Sequence, residues 1–226
     1  WDINKAVACL GTLQLPSNET LMFPLKENLL QVEPPTLAVV DKIKLVERGL
    51  RQYLESTFDL SRSDRLWPAS PEVFVTNPVS LQFGAAGIAW YQMRSLGSVD
   101  ARILDWIEDK ATSDLCPPGL YSGLGGVALL LLATGRYESA KKLMERIGKH
   151  ALTFAFPGLY FGCSGWGLVN LHFWYHTKDP AYLENAVCVG NWLLGEAKTS
   201  PHGIYWLTRD TTYLGLGDGQ CGVALF

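Results

Sequence analysis

The sequence feature that most restricts the fold of this chain is a short glycine motif that occurs four times. Each copy reads G-x-x-G, followed by an apolar residue, then Ala or Gly, then a large apolar residue. The copies begin at Gly84, Gly123, Gly162 and Gly219, so the spacings are 39, 39 and 57 residues. Equal periods of this size are typical of repeated supersecondary units. We call these copies motifs 1 to 4.

The segments that follow the motifs predict pairs of helices. "GVALLLLA" (126–133) and "GLVNLHFW" (167–174) carry almost no charge, which predicts inner helices that are covered on most sides. "DARILDWIEDKA" (100–111) and "YESAKKLMERIGKHA" (137–151) place apolar residues at helical spacing with charges on the opposite face, which predicts outer helices. We therefore predict an all-α fold of inner and outer helices, with an α/α toroid as its architecture.

Glycines and one charged tripeptide predict how these helices begin and end. Gly97, Gly135 and the segment 178–180 are the predicted turns between inner and outer helices. We expect the first glycine of each motif to adopt a positive φ, and the second to let neighbouring helices approach closely. Phosphate binding is disfavoured because no Lys-Ser or Lys-Thr pair follows the glycines and no strand precedes them.

The N-terminal part of the chain has a different composition. Residues 1–36 are predicted to be a linker or the end of an upstream domain, and 36–57 to be an amphipathic helix at the start of a domain covering 37–226. Because the first residue is Trp1, we expect the chain to be part of a longer protein. The prolines that interrupt regular structure are Pro16, Pro24, Pro34 and Pro35.

Composition excludes several classes of protein. The chain has 226 residues, 19 Lys and Arg, 22 Asp and Glu and a net charge of −3, without the basic stripe that nucleic-acid binding requires. Its apolar runs are shorter than the roughly 20 residues of a membrane-spanning helix, and no signal peptide is evident. Five cysteines without C-x-x-C spacing indicate reduced thiols. We expect a cytoplasmic protein that binds neither nucleic acid nor membrane.

The motif blocks resemble a known family. "GLYSGLGGVALLLL" (119–132), "GLYFGCSGWGL" (158–168) and "GLGDGQCGVALF" (215–226) resemble the LanC-like cyclase domain of lanthipeptide synthetases. Residues 65–91 look like the start of that domain in the fused synthetases of class III or class IV. The resemblance covers about 37–226. It implies a toroid of seven inner and seven outer helices, of which this chain would hold an incomplete N-terminal portion.

The resemblance also implies a reaction and its partners. The reaction is addition of a peptide cysteine thiol to a dehydrated Ser or Thr, which closes a thioether ring. The implied partners are the precursor peptide and upstream kinase and lyase domains. Zinc-dependent members hold the metal with two cysteines and a histidine in later repeats, so we expect no cofactor here unless zinc ligands follow Phe226. The inner-helix N-termini are expected to favour a developing anion at the mouth of the toroid.

Two positions directly before a motif are candidate catalytic residues. Active members of the family often have Asp where this chain has Ser122, and His where it has Asp218. Ser122 cannot act as a carboxylate, so it is the weaker candidate. Asp218 would act as an acid or base if burial raised the pKa of its carboxyl, but an Asp before Gly is also an ordinary helix N-cap. The sequence leaves both interpretations of Asp218 open.

The remaining candidates lie within the motifs. The cysteines would be either thiols whose pKa a helix N-terminus lowers or small packing residues. His172 and His176 are four residues apart and would share a helix face, but no Glu or Cys accompanies them, so we predict an interior histidine and a helix C-terminal histidine and no metal site. The candidate substrate-binding residues are Gly123, Gly162, Cys163, Gly219 and Cys221.

Three functions are compatible with these residues. The first is a cyclase domain acting on a dehydrated precursor peptide. The second is a degenerate toroid that binds the peptide or another domain without chemistry, and the changes at Ser122 and Asp218 favour it somewhat. A toroid acting on carbohydrate ranks last, because paired carboxylates are missing from the predicted helix ends.

Overall fold

The computed structural model describes residues 38–68, 77–112 and 116–226. The predicted linker at 1–36 lies outside these residues. The chain divides into two compact units, Trp1–Glu55 and Ser56–Phe226. The described part of the first unit belongs to helix α1, Val39–Thr57, whose buried residue is Leu54.

The regular secondary structure described in the second unit is mostly helical, which confirms the all-α prediction. The described residues of the chain contain eight helices and one sheet of two antiparallel strands. None of these helices is long and apolar enough to cross a membrane. After α1 the elements are α2 (Ala85–Leu96), α3 (Ala101–Lys110), α4 (Leu124–Ala133), α5 (Tyr137–Gly148), α6 (Cys163–Thr177), α7 (Pro180–Glu196), β1 (Lys198–Ser200), β2 (Gly203–Tyr205) and α8 (Gln220–Leu225).

Burial distinguishes the inner helices α4 and α6 from the outer helices, whereas the inner helix α2 buries only three of its twelve residues. Each of α2, α4, α6 and α8 follows a glycine motif, and α4 buries eight of its ten residues. Helices α3, α5 and α7 return beside them and bury one face, as Leu143 and Ile147 of α5 illustrate. Helix α4 packs on α5, α6 packs on α7, and α4 also contacts α6. Apolar burial along these contacts stabilises the row of helices.

The first glycine of each motif does not adopt the predicted positive φ. All four are extended N-cap residues with φ between −107° and −113°, so that prediction is wrong. The physical reason for glycine is space: a Cβ on Gly84 would overlap the backbone of Pro78, and one on Gly162 would overlap the backbone of Phe156. The loop before each motif folds back onto the helix N-terminus and leaves no room for a side chain.

The second glycines of motifs 2, 3 and 4 allow close packing between successive repeats, as predicted. A Cβ on Gly126 would lie 2.5 Å from the side chain of Leu81, and one on Gly165 would lie 2.6 Å from the backbone nitrogen of Leu120. Leu81 and Leu120 each belong to the loop of the preceding repeat. Repeats therefore stack through a leucine that fills the space left by the next repeat's glycine.

The predicted turns between inner and outer helices are confirmed. Gly97 and Gly135 have φ of 77° and 80°, the left-handed conformation that glycine adopts at little cost. Lys178 ends α6 with φ of 60°, and the carboxylate of Asp179 caps α7 by accepting a hydrogen bond from the Ala181 N–H at 3.0 Å.

Backbone hydrogen bonds join the four motif loops in sequence order. The Gln82 N–H donates to the Tyr121 carbonyl at 3.0 Å, the Leu120 N–H to the Leu159 carbonyl at 2.9 Å, and the Leu159 N–H to the Gly217 carbonyl at 2.7 Å. These bonds place all four motifs at one end of the inner helices, as the toroid interpretation predicts.

The long third spacing contains a hairpin that the sequence did not predict. Strands β1 and β2 pair antiparallel, and a second bridge joins Thr208 to Thr211. The Gln220 side-chain amide exchanges two hydrogen bonds of 2.8 Å with the backbone of Trp206, and the Thr208 hydroxyl donates to the Asp218 carbonyl at 3.1 Å. The residues after α7 are thereby held against motif 4.

Candidate functional site

A cleft of about 270 Å³ opens where motifs 3 and 4 lie side by side. Four of its lining residues occupy two repeated positions, one and six residues before the first glycine of each motif. The other two come from the Thr208–Thr211 turn. The lining residues are Phe156, Phe161, Thr208, Arg209, Tyr213 and Asp218.

Asp218 supplies the carboxylate of this cleft. Partial burial raises the pKa of the Asp218 carboxyl above its ordinary value, because desolvation disfavours the charged form. The N-cap of α8 is Gly219, without a side-chain cap, so the interpretation of Asp218 as a helix cap is wrong. Acid or base chemistry at Asp218 stays a prediction, and the shifted pKa is the kind that such chemistry uses.

The inner helices have no need of side-chain caps, because their own loops supply the acceptors. The first helical N–H donates to a carbonyl of the loop at 2.8 Å in motif 2 (Leu124 to Pro117), and at 2.9 Å in motif 3 (Cys163 to Phe156) and motif 4 (Gln220 to Tyr213). In these motifs the next N–H also bonds the loop. The first two N–H groups of these helices are therefore already bonded to the loop, and stabilisation of an anion by the helix N-termini stays a prediction.

Ser122 occupies the position of Asp218 in motif 2, but it is fully buried. Its hydroxyl donates to the Gln82 side-chain oxygen at 3.3 Å, and its carbonyl accepts a hydrogen bond from the Asn77 amide at 3.2 Å. This arrangement favours a structural role and places the hydroxyl out of reach of a peptide. The structure gives no support to Ser122 as a catalytic residue.

The two motif cysteines differ in environment. Cys163 is fully buried, and burial raises the pKa of its thiol to about 12. The hypothesis that the helix N-terminus lowers this pKa is therefore wrong for Cys163, which is a packing residue. Cys221 is exposed on α8 and has no disulfide partner.

The candidate glycines are themselves buried. Gly123, Gly162 and Gly219 lie beneath backbone atoms of their own loops, so their evident role is to allow that packing. Contact between a substrate and these three residues stays a prediction. The part of the site that solvent reaches lies one residue earlier in motifs 3 and 4, at Phe161 and Asp218.

The histidines of α6 do not form a metal centre with their neighbours. His172 and His176 are both exposed, so the prediction of a satisfied interior histidine is wrong for His172. Partial desolvation, with a smaller contribution from His176, lowers the pKa of His172. Across 38–68, 77–112 and 116–226, no group of three or more His, Cys, Asp and Glu residues is placed to hold a metal ion.

Comparison with known proteins does not assign the chain to a family. No family model matches the chain, and no curated protein matches it. The LanC-like resemblance therefore depends on the four motifs, their order and the blocks around them. It is carried forward as a proposal.

Sequence reasoning missed most of the cleft. A signal was present six residues before each first glycine, where motifs 1 and 2 have Pro78 and Pro117 but motifs 3 and 4 have Phe156 and Tyr213. That change from proline to aromatic marks the two loops that line the cleft. The spacing of the motifs could not indicate Arg209, because this residue is positioned by the turn between Thr208 and Thr211.

Proposed function

We propose that this chain belongs to a LanC-like α/α toroid, the cyclase domain of a cytoplasmic lanthipeptide synthetase. The domain supports addition of peptide cysteine thiols to dehydroalanine or dehydrobutyrine. The observation that carries the proposal is the row of four hydrogen-bonded motif loops, each followed by an apolar inner helix, with a carboxylate in the cleft between the last two. The partners in this proposal are the precursor peptide and upstream kinase and lyase domains.

The reaction gives Asp218 a defined part. The cysteine sulfur loses its proton and bonds to the β-carbon of the dehydrated residue, the double-bond electrons move to the amide oxygen as an enolate, and the α-carbon takes up a proton. A carboxyl whose pKa is raised by burial is suited to accept the thiol proton or to donate to the α-carbon. The aromatic walls at Phe156, Phe161 and Tyr213 limit water around the reacting atoms.

The zinc of the related cyclases does not fit the described residues. Cys163 is buried with a raised thiol pKa, and Cys221 and the two α6 histidines belong to no cluster suited to a metal. A zinc site needs about three or four such ligands around one point. No step of the proposed chemistry is therefore assigned to a metal held by these residues.

The decisive experiment replaces Asp218 by Asn in the complete synthetase. We expect ring closure to slow by about 10²-fold, because Asn keeps the shape of Asp but cannot exchange the proton. Dehydration should remain unchanged and the melting temperature should not fall, since the carboxylate caps no helix. Mass spectrometry after thiol alkylation counts the cysteines that remain free in the modified peptide.

Asp210→Asn is the matched control, because Asp210 is an exposed carboxylate on the neighbouring turn. This variant should close rings at the wild-type rate. Normal ring closure in Asp218→Asn would remove Asp218 from the mechanism. Loss of dehydration as well would indicate damage to the whole protein.

A second candidate is a peptide-binding or interdomain scaffold without chemistry. The burial of Ser122, with its hydroxyl bonded to Gln82, favours it, because motif 2 offers no reactive group where active relatives often carry Asp. The same assay separates the two functions. A scaffold predicts that Asp218→Asn leaves ring closure intact while deletion of the domain reduces peptide binding.

A further inference from the structure

Arg209 lies between two clefts. The first is the cleft that contains Asp218. The second, of about 250 Å³, lies on the other side, and its lining includes Trp192, Glu196, Lys198 and Trp206. Arg209 is the lining residue that both clefts share. We call these two clefts, together with the Arg209 side chain that lines both, the Arg209 groove.

Aromatic side chains contribute to the walls of both clefts. Phe156, Phe161 and Tyr213 line the first cleft, and Trp192 and Trp206 line the second. The Trp206 indole N–H is already bound to the Leu193 carbonyl at 2.7 Å, so Trp206 offers mainly its apolar surface to a ligand. Such walls suit apolar side chains of a peptide.

Arg209 is held in a conformation that costs free energy. Its φ is 59°, at the first central position of the two-residue turn closed by Thr208 and Thr211, where glycine is preferred. A non-glycine residue in the left-handed region brings its Cβ too close to the following carbonyl oxygen. Residues in such strained backbone conformations cluster at active sites and ligand-binding sites.

The fold itself makes little use of the Arg209 side chain. The guanidinium carbon lies 6.0 Å from the centroid of the Phe156 ring. Within the described part of the chain, no carboxylate lies close enough to Arg209 to form an ion pair, and the residue is exposed. The second cleft carries one acidic and one basic side chain, Glu196 and Lys198, whose charges offset each other.

We propose that the Arg209 groove binds an extended peptide, with Arg209 pairing to the carboxylate of an acidic residue and the two clefts taking apolar side chains two residues before and after it. Side chains at positions i−2, i and i+2 of an extended peptide lie on one face. A guanidinium binds a carboxylate through two parallel N–H bonds, which fixes the register of the peptide. This inference rests on the proposed function in taking the ligand to be a peptide.

The experiment measures binding to the 226-residue chain without any chemistry. The probes are fluorescein-labelled Phe-Ala-Glu-Ala-Phe and its Gln counterpart, followed by fluorescence anisotropy. We expect wild type to bind the Glu peptide about 10-fold more tightly than the Gln peptide, the factor that a charge-assisted pair provides. Arg209→Gly should reduce that preference to less than about twofold, because glycine removes the guanidinium.

Lys178→Gly is the matched control. Lys178 is also a basic residue at positive φ, but it ends α6 and stacks on Tyr175, with its ammonium 4.6 Å from the ring centroid. Both glycine variants relieve a left-handed residue, so both should melt within about 2 °C of wild type or above it. Lys178→Gly should keep the full preference for the Glu peptide.

Three results would overturn the proposal. They are binding of neither peptide to wild type, an unchanged preference in Arg209→Gly, and a clear loss of thermal stability in Arg209→Gly, which would make its side chain structural. The ring-closure assay is independent of this measurement. If wild type binds the Glu peptide but closes no rings, only the proposed function is contradicted. If wild type closes rings but Arg209→Gly binds both peptides as wild type does, only this inference is contradicted.

Discussion

Motifs 2 and 4 share a backbone arrangement but differ in what surrounds the residue before the first glycine. Ser122 is fully buried and its hydroxyl bonds Gln82, whereas Asp218 faces a cleft and its carboxyl has a raised pKa. In both motifs the loop carbonyl six residues before the glycine accepts the first helical N–H. The difference shows that the repeat determines the backbone conformation of each motif, whereas neighbouring segments determine the environment of the side chain before the first glycine.

Two local features distinguish the surroundings of Asp218 from those of Ser122. The position six residues before the glycine is Pro117 in motif 2 and Tyr213 in motif 4. The hairpin between α7 and motif 4 adds Thr208 and Arg209 to the wall beside Asp218. The candidate functional side chains are therefore concentrated where the repeat is longest and least regular, as is common for loops on a rigid scaffold.

The largest expected effect comes from placing a carboxylate in motif 2. Ser122→Asp should lower the free energy of unfolding by about 3 kcal/mol at pH 7, because it buries an unpaired charge. Urea denaturation followed by circular dichroism measures the change. Ser122→Ala is the control and should cost about 1 kcal/mol, the contribution of one hydrogen bond. A loss below about 1 kcal/mol in Ser122→Asp would show that motif 2 is as open as motif 4.

A smaller effect is expected in thiol reactivity. In the folded protein, Cys163 of motif 3 should react with iodoacetamide at least about 10²-fold more slowly than Cys221 of motif 4, because Cys163 is buried and its thiol pKa is raised to about 12. Peptide mass spectrometry at timed intervals gives both rates, and unfolding in urea should equalise them. Equal rates in the folded protein would contradict the distinction between closed and open motifs.

The smallest effect concerns stability and pH at Asp218. Burial raises the pKa of this carboxyl above its ordinary value of 3.8 in the folded chain, so the folded state holds the proton more tightly than the unfolded state. Its stabilising contribution is present below pH 3.8 and is lost as pH rises through the folded pKa. The stability of Asp218→Asn relative to wild type should therefore increase as the pH rises from 3 to 7. Parallel melting curves across that range, without a relative gain, would contradict the raised pKa.

Much of the fold could be predicted from local residue patterns. Helical spacing in α3 and α5, the uncharged stretches of α4 and α6, and the turns at Gly97 and Gly135 are all evident in the sequence and all confirmed. The conformation of the first motif glycines could not be predicted from residue type, because glycine is equally suited to a positive φ and to a crowded extended position. Only the contact between each glycine and its preceding loop distinguishes these two conformations.

The site was less predictable. Asp218 was identifiable because it stands where the LanC-like family that the motifs resemble often has His, but its surroundings depend on Phe161, Tyr213 and the Thr208–Thr211 turn. The same reasoning selected Ser122 and Cys163, which tertiary packing buries. The motifs alone do not distinguish Ser122 and Cys163 from Asp218, because a sequence motif does not show which neighbouring residues bury a side chain.

By itself, the sequence determined the repeat and the all-α class, because both depend on the periodicity of the residues. It also determined that the motifs lie at one end of the inner helices, because this depends on the positions of the glycines. Tertiary structure alone decided which motif is closed and which is open. That decision depends on contacts between residues far apart in the chain, such as Gln82 with Ser122 and Arg209 with Phe156. Burial sets a carboxyl or thiol pKa only once those contacts have formed.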